Sequence, residues 1–198
     1  MSTVTYPSAK ENEQPFGDLP IQKFLTWLFL ASEVMFFTGL IVAYVVLRFN
    51  SESWHIPEEL NVPLVAGNTF ILIVSSVTMV LALENFEEGK HGRGRNFLLA
   101  TMALGIVFLS IQAIEWTELI VHGILPSTDL FGATFFTLTG FHGAHVTGGV
   151  LWILGVTIAA FRGSYKDSPI GVEVLGLYWH FVDLVWIILF TIVYLIPT

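Results

Sequence analysis

The segment Gly140–Trp152 has the sequence GFHGAHVTGGVLW and lies inside an apolar run that extends from Leu130 to Phe161. An α-helix needs roughly 20 apolar residues to cross the ~30 Å hydrocarbon layer of a membrane, and this run exceeds that length. The run is too long and too uninterrupted for a core helix of a soluble domain. It therefore predicts a membrane-spanning helix, and this prediction decides the fold class of the chain.

Two sides of this predicted helix are expected to contact protein. His142 and His145 are three residues apart and share one helical face, and polar groups at membrane depth usually meet protein or a wet cavity. Gly140, Ala144 and Gly148 recur at every fourth position and form a stripe on another side of the helix. Small residues in such a stripe let a second helix approach closely, so we interpret the stripe as a packing surface. This helix is therefore expected to be central.

The composition of the whole chain agrees with a membrane protein. Of its 198 residues, 54% are hydrophobic and only 12% are charged, and the mean hydropathy is +0.73. Such a balance is typical of a polytopic membrane protein. The net charge of −8 and the scattered basic residues argue against nucleic-acid binding. The short polar loop at Gly89–Gly94 lacks the spacing of a nucleotide-binding phosphate loop.

The sequence contains no cysteine, which limits the cofactors that it can hold. Without cysteine there is no disulfide, no thiolate-held iron–sulfur cluster, no covalent c-type haem and no cysteine-bridged copper centre. His142 and His145 have the spacing of metal ligands, but two histidines on one face of one helix do not bind both sides of a haem iron. We therefore predict no metal site, no haem and no catalytic residue in this chain.

Five apolar runs are each long enough to cross a membrane as a helix, and short polar segments with proline or glycine join them. The predicted spans are Phe24–Leu47, Leu64–Leu83, Phe97–Trp116, Gly132–Phe161 and Val174–Ile196. The fold class that we predict is all-α, with a flexible cytoplasmic tail at residues 1–23 and a bundle of five transmembrane helices at residues 24–198.

The basic residues are distributed unevenly over the two sides of this arrangement. Seven of the eight lie on the side of the amino terminus and one lies on the other side: Lys10, Lys23, Lys90, Arg93, Arg95, Arg162 and Lys166, against Arg48. Lysine and arginine concentrate on the cytoplasmic side of membrane proteins. The sequence therefore predicts a cytoplasmic amino terminus and an external carboxyl terminus. On the external side, Glu115 and Glu118 are expected near the membrane boundary, within reach of water.

Ionisable residues inside the predicted spans are the candidate functional residues, because charged groups are costly at that depth. Glu33 is expected about 14 Å from the cytoplasmic edge and His142 about 15 Å from the opposite edge, so both lie near the midplane. We expect Glu33 to have a functional role and to pair with the face that carries His142 and His145. His180 and Asp183, three residues apart in the last span, are further candidate polar partners.

Three stretches of these spans are specific enough to compare with known families: SEVMFFTGL (Ser32–Leu40), FHGAHVTGG (Phe141–Gly149) and YWHFVDLVWIILFTIVYLI (Tyr178–Ile196). They resemble subunit III of the haem–copper terminal oxidases, the cytochrome c oxidase subunit 3 family, in its shorter, five-span bacterial form. Weaker similarity comes from NTFILIVSS (Asn68–Ser76) and LSIQAIEWTE (Leu109–Glu118). The resemblance covers nearly the whole chain after the predicted tail.

The resemblance implies a subunit without a redox centre, with haem and copper held in partner subunits. The partners it implies are the catalytic subunit I, subunit II and a candidate small subunit IV, together with phospholipid bound in an intramembrane cleft. Glu33 matches the family's intramembrane glutamate that reacts with a carbodiimide, and Arg162 matches its lipid-headgroup arginine. Longer, seven-span members have two further amino-terminal helices that form the other wall of the cleft, and the 198 residues contain no counterpart of them.

The function that the resemblance implies is subunit III of a proton-pumping cytochrome c oxidase in the inner (plasma) membrane of a bacterium. There it would support the catalytic subunit, lipid binding and sustained proton uptake. Within the same family, a subunit of a quinol oxidase or an accessory subunit of a nitric-oxide reductase is the alternative. A free-standing proton or ion carrier is the alternative from another class. Carriers with a central site often have broken spans or paired repeats, and this sequence has neither.

Reporters fused to the two ends of the chain test the predicted orientation in intact cells. The amino-terminal reporter is expected in the cytoplasm and the carboxyl-terminal reporter outside it, because loops rich in Lys and Arg stay inside. An external amino-terminal reporter, or a cytoplasmic carboxyl-terminal one, would contradict the five-span arrangement.

Overall fold

The computed structural model describes residues 20–51, 54, 57, 60–165 and 168–196. Its elements in these residues are α1 (Ile21–Asn50), α2 (Val62–Glu87), α3 (His91–Val121), α4 (Leu130–Phe161) and α5 (Ile170–Phe190), which continues into a π-helical turn at Thr191–Leu195. In the described part of the chain, five helices are long and apolar enough to cross a membrane. The predicted all-α fold with five membrane-spanning helices is confirmed. Of the predicted tail, residues 1–19 lie outside the described residues, and residues 21–23 belong to α1.

Side-chain caps place the starts of α2 and α4 slightly before the predicted spans. α2 begins where the Asn61 side chain accepts a hydrogen bond from the Leu64 amide, at 3.1 Å. α4 begins in the same way, where the Asp129 side chain accepts a hydrogen bond from the Gly132 amide. Asn and Asp are favourable N-cap residues, because their side-chain oxygens satisfy amides of the first turn. Hydropathy alone does not detect such ends, since the caps are polar.

α2, α3 and α4 each end two residues before a glycine in the left-handed region of φ. The φ angle is 74° at Gly89, 85° at Gly123 and 84° at Gly163. A residue with a Cβ is strained at such angles and glycine is not. The amide of Gly89 donates a hydrogen bond to the Phe86 carbonyl, at 3.1 Å, and so satisfies a carbonyl of the last turn. The chain reverses at these turns, and consecutive helices therefore run antiparallel.

α5 is the most buried helix of the bundle. It packs against α1, α2 and α4, while α3 packs against α2 and α4, and α1 also contacts α4. Trp179 and Trp186 of α5 are only 1% and 0% exposed. α4 contacts α1, α3 and α5, as expected from its sequence. The central helix of the bundle, however, is α5 and not α4.

The basic residues of the described chain concentrate at one end of the bundle. Lys23, at the start of α1, forms an ion pair with Glu173, at the start of α5, with 2.5 Å between nitrogen and oxygen. Arg162, at the end of α4, belongs to this end as well, and Arg48 lies at the other end of α1. Lys10 and Lys166, which also entered the prediction of orientation, lie outside the described residues.

Two glycines make room for the indole ring of Trp179. A Cβ added to Gly105 of α3 would lie 2.8 Å from the ring, and a Cβ added to Gly149 of α4 would also lie 2.8 Å from it. The indole nitrogen donates a hydrogen bond to the Ser75 hydroxyl of α2, at 3.0 Å. A single side chain of α5 therefore contacts α2, α3 and α4, and it does so only because two of its neighbours lack a side chain.

The predicted packing stripe on α4 lies mostly outside the contacts between these helices. Gly140 is half-buried, and a Cβ there would lie 3.3 Å from Trp116 of α3. Ala144 and Gly148 are exposed. No helix of the described residues packs closely on these two residues, so the stripe stays a prediction.

Gly149→Ala is expected to destabilise the bundle, because the added methyl group meets a buried ring that has no room to move. The expected loss is about 1–3 kcal/mol in the free energy of unfolding. Gly143→Ala is the matched control on the same helix, since a Cβ there meets nothing within 4 Å. Unfolding of the two purified variants in mixed micelles, followed by circular dichroism, measures the difference. Equal stability of the two variants would contradict the close packing at Gly149.

Candidate functional site

Glu33 of α1 and His145 of α4 form a hydrogen-bonded pair that is partly exposed at the surface of the bundle. Glu33 Oε2 lies 3.0 Å from His145 Nε2, and the two side chains are 17% and 19% exposed. Both residues are predicted site residues, and the structure brings them together. The pair connects two helices that are far apart in the sequence, and it remains reachable from the apolar phase around the bundle.

The geometry of this pair requires a proton between the two side chains. His145 Nδ1 lies 2.7 Å from the carbonyl oxygen of Phe141, and a carbonyl only accepts, so Nδ1 carries a hydrogen. If no proton lay between Glu33 and Nε2, two lone pairs would face each other across 3.0 Å. The proton belongs either to a neutral Glu33 or to a charged His145, and in both forms the pair carries no net charge. The site can therefore hold one proton without placing a net charge in the membrane.

Aromatic side chains pack next to the pair. The Phe37 ring centroid lies 5.0 Å from that of His145, and Phe36 lies 6.2 Å away. The Tyr178 hydroxyl of α5 donates a hydrogen bond to the His145 carbonyl oxygen, at 2.9 Å. The pair thus sits where α1, α4 and α5 meet, in a largely apolar environment in which an isolated charge would be costly.

His142 does not join this pair, although it lies only three residues from His145. It is 1% exposed and stacks on Trp186 of α5, with 4.7 Å between ring centroids. The Phe108 ring of α3 lies nearly perpendicular to it, with 5.9 Å between ring centroids. Neither ring nitrogen has a hydrogen-bond partner in the described part of the chain. Two residues that are three apart in a helix point in directions that differ by about 60°. His142 therefore faces the core, whereas His145 faces α1.

His180 and Asp183 belong to a separate polar cluster between α2 and α5. The Ser76 hydroxyl of α2 donates a hydrogen bond to Asp183 Oδ2, at 2.8 Å, and His180 Nδ1 lies 3.3 Å from the same hydroxyl oxygen. Asp183 is 8% exposed. Since the serine gives its only hydrogen to the carboxylate, His180 cannot act as a base on that hydroxyl. We interpret this cluster as a connection between two helices.

Glu115 of α3 is a buried carboxyl that sequence reasoning placed incorrectly. It is 3% exposed, so the expectation that water reaches it is wrong, whereas Glu118 is exposed. Glu115 accepts hydrogen bonds from the Tyr194 hydroxyl, at 2.9 Å, and from the Gln112 side-chain amide, at 3.0 Å. The spacing of Gln112 and Glu115 could have indicated the hydrogen bond between them, because residues three apart lie near one helical face.

Arg48 is a second buried charge that the sequence did not reveal. It is 4% exposed although it lies in the last turn of α1. Its guanidinium donates hydrogen bonds to the carbonyl oxygens of Ile192, at 2.7 Å, and Ile196. Carbonyls at a helix end lack regular partners, and a cation there is favourable. Arg48 therefore joins the end of α1 to the end of α5.

The remaining predicted residue, Arg162, is exposed and follows the last residue of α4, where it lines a cavity together with Arg95 of α3. Among the described residues, no three His, Asp or Glu side chains come close enough together to hold a metal ion. The polar groups of these spans are therefore distributed over separate clusters between helices.

Comparison with known proteins gives matches over almost the full length. A family model described as cytochrome c oxidase subunit III matches residues 20–197. The cytochrome c oxidase subunit 3 of Bacillus sp. (strain PS3) is 35% identical over 198 residues, which cover 98% of this chain and 95% of that protein. The cytochrome bo(3) ubiquinol oxidase subunit 3 of Pseudomonas aeruginosa is 36% identical over 85% of this chain and 82% of its own length. The quinol oxidase subunit 3 of Bacillus subtilis is 35% identical over 93% of this chain and 91% of its own length.

A hydrophobic carbodiimide tests which intramembrane acid is reactive. The reagent needs a protonated carboxyl that is reachable from the apolar phase, and the partly exposed Glu33 meets this condition better than the buried Asp183. Labelling of the purified chain is expected to disappear in Glu33→Gln and to persist in the matched variant Asp183→Asn, as measured by mass spectrometry of the labelled peptide. Undiminished labelling of Glu33→Gln would place the reactive acid elsewhere.

Proposed function

The chain belongs to the cytochrome c oxidase subunit III family, and from this premise we propose that it serves a proton-pumping cytochrome c oxidase as a subunit without a redox centre. Its expected partners are the catalytic subunit I, subunit II and a small subunit IV, with haem and copper in the partners. The plasma membrane of a bacterium is the proposed location, with the amino terminus in the cytoplasm. Family membership favours this function over a free-standing ion carrier.

A subunit without haem or copper acts on turnover only through packing, lipid and the local electric field. The sequence has no cysteine, and the described residues contain no group of metal ligands, which supports an accessory rather than a catalytic role. We propose that the chain packs against subunit I, holds phospholipid, and keeps proton uptake effective over many turnovers.

The Glu33–His145 pair is the observation that carries this proposal. Its partners lie 3.0 Å apart and share one proton near the surface of the bundle. The pair also holds α1, the least buried of the five spans, against α4. Loss of the pair would loosen α1 and change the surface that the subunit presents to its neighbours. A defect should then develop during turnover rather than in the assembly of the haem centres.

The exposed face of α1 supports the lipid-binding part of the proposal. Met35 is 77% exposed, Phe49 is 68% exposed and Leu28 is 62% exposed, so a long apolar surface needs a cover of lipid or of another subunit. The resemblance implies that longer members have two further amino-terminal helices that complete a lipid cleft, and we propose that this face of α1 lines the corresponding cleft. We propose that phospholipid or a small subunit IV covers it here, and that Arg162 binds a lipid headgroup.

The proposed complex could use one of two electron donors, cytochrome c or a quinol. Cytochrome c is favoured by the relative from Bacillus sp. (strain PS3), which matches over 98% of this chain. A quinol is the second candidate, because two relatives named for quinol oxidation are 36% and 35% identical. The purified complex is expected to consume oxygen with reduced cytochrome c and not with a ubiquinol analogue. The reverse result would establish the quinol form.

Glu33→Ala in the purified complex is expected to leave the haem content and optical spectrum unchanged. The initial rate of oxygen consumption should fall modestly and the activity should decay faster, because His145 loses a partner worth about 1–3 kcal/mol. Glu118→Ala, which removes an exposed carboxyl of α3, is the control and should behave as the unmodified complex.

An oxygen electrode records both the initial rate and the decay in one trace. Immediate loss of all activity with an altered spectrum would mean that the subunit helps to build the redox centre. Traces identical to those of the unmodified complex would mean that the pair contributes to neither property.

A further inference from the structure

A groove of about 260 Å³ runs between α3 and α4, towards the carboxyl end of α3. Its α3 wall includes Gln112 and Trp116, and its α4 wall includes Gly140, Gly143 and Ala144. Trp116 lies about 8 Å from the end of α3 at the usual helical rise, so the groove lies within the membrane-spanning length of the helix. None of the described residues that line it is charged. The groove is therefore suited to an uncharged molecule that enters from the membrane.

Gln112 leaves one hydrogen-bond acceptor unused in the wall of this groove. The residue is buried, with 5% of its surface exposed. Its amide nitrogen donates a hydrogen bond to Glu115 at 3.0 Å, whereas Oε1 is buried and has no partner among the described residues. A buried acceptor without a partner is costly. A donor from a molecule in the groove would therefore be stabilising.

Trp116 leaves a donor unused one turn further along α3. Its indole Nε1 is buried and has no partner in the described part of the chain. The ring is held by an edge-to-face contact with Phe136 of α4, with 5.3 Å between ring centroids. Gln112 and Trp116 are four residues apart and lie on one face of α3. A hydroxyl group both donates and accepts a hydrogen bond, so it matches this combination of one acceptor and one donor.

The α4 wall of the groove carries almost no side chains. A Cβ added to Gly143 would meet nothing within 4 Å, so free space lies in front of this glycine. Ala144 is exposed and adds only a methyl group. A flat ring system can lie against such a wall, and a rigid ligand loses little conformational freedom on binding. A flexible acyl chain would lose more.

We propose that this groove binds a rigid, uncharged polycyclic isoprenoid alcohol, with its hydroxyl group between Gln112 and Trp116 and its rings against the α4 wall. The alcohol donates its hydrogen to Gln112 Oε1 and accepts one from Trp116 Nε1. This site goes beyond the proposed function, because neither Glu33 nor His145 lines the groove. Its chemistry is that of a neutral ring-bearing alcohol, in which no phosphate and no charged group takes part.

Equilibrium binding of tritiated diplopterol to the purified full chain in detergent micelles tests the site. Diploptene, which has the same fused rings and no hydroxyl group, is the matched ligand. Unlabelled diplopterol is expected to displace the label at a concentration about tenfold lower than diploptene, because diploptene cannot make the two hydrogen bonds. Equal displacement by the two compounds would overturn the proposal, since the hydroxyl group would then play no part.

Trp116→Phe removes the indole N–H and keeps an aromatic ring in the wall. It is expected to weaken diplopterol binding about fivefold, because one hydrogen bond is lost, and to leave diploptene binding unchanged. Trp152→Phe is the matched control, since Trp152 is an exposed tryptophan of α4 outside the groove. Equal weakening by both variants, or of both ligands, would contradict a hydrogen bond from Trp116.

Gly143→Leu fills the free space in front of the α4 wall and is expected to weaken diplopterol binding at least about tenfold, because the rings and the new side chain cannot occupy the same volume. Gly155→Leu is the control on the same helix, since a Cβ there also meets nothing within 4 Å and Gly155 does not line the groove. Circular dichroism verifies that each variant keeps its helices. Unchanged binding in Gly143→Leu would remove the site.

Two further results would assign the groove to another occupant and overturn the proposal. Tighter binding of ubiquinol than of diplopterol would show a site for quinols, whose hydroxyl groups offer the same hydrogen bonds. Binding of diplopterol to the separate chain but not to the purified complex would show that a neighbouring subunit covers the groove. Neither result would affect the proposed role in turnover, since that role is measured by oxygen consumption in Glu33→Ala.

Discussion

The hydrocarbon layer offers no water, so polar groups inside this bundle are stabilised by partners in protein, although the buried ring of His142 has none among the described residues. That constraint determines how the helices are joined. Hydrogen bonds connect α2 to α5, among them those from Trp186 to Thr69, from Trp179 to Ser75 and from Ser76 to Asp183. Arg48 connects α1 to the end of α5, and Glu33 connects α1 to α4 through His145. Polar contacts therefore join α1 to α4 and α5, and α2 to α5, while apolar side chains fill the space between the helices.

The Glu33–His145 pair differs from the other connections because it needs a proton to exist. A tryptophan donating to a hydroxyl is satisfied at any pH of interest, whereas this pair depends on one shared proton. Its position, partly exposed among Phe36 and Phe37, keeps it reachable from the surrounding membrane. In the proton-pumping complex that we propose, a contact that is both structural and protonated would link the stability of α1 to the state of the neighbouring catalytic subunit. This link is the physical basis of the proposed accessory role.

Much of the fold followed from the sequence, because length and hydropathy suffice to define a membrane-spanning helix. The contacts of the candidate site residues were predicted less completely. Depth in the membrane placed Glu33 near the histidine face, but helical geometry alone did not tell which of His142 and His145 would face it. Glu115 was misplaced because its partner Tyr194 lies 79 residues away, and no local pattern reports such a contact. The burial of Arg48 was hidden for the same reason, since its partner Ile192 lies 144 residues away.

A double-mutant cycle on Glu33 and His145 tests the central claim most directly. The free energy of unfolding would be measured in mixed micelles for the unmodified chain, Glu33→Ala, His145→Ala and the double variant. The cycle removes the separate contribution of the bond from His145 to Phe141, because both His145 variants lack it. If the two side chains share a proton across α1 and α4, their coupling energy should be about 1–3 kcal/mol. Additive losses, with a coupling energy near zero, would contradict the account.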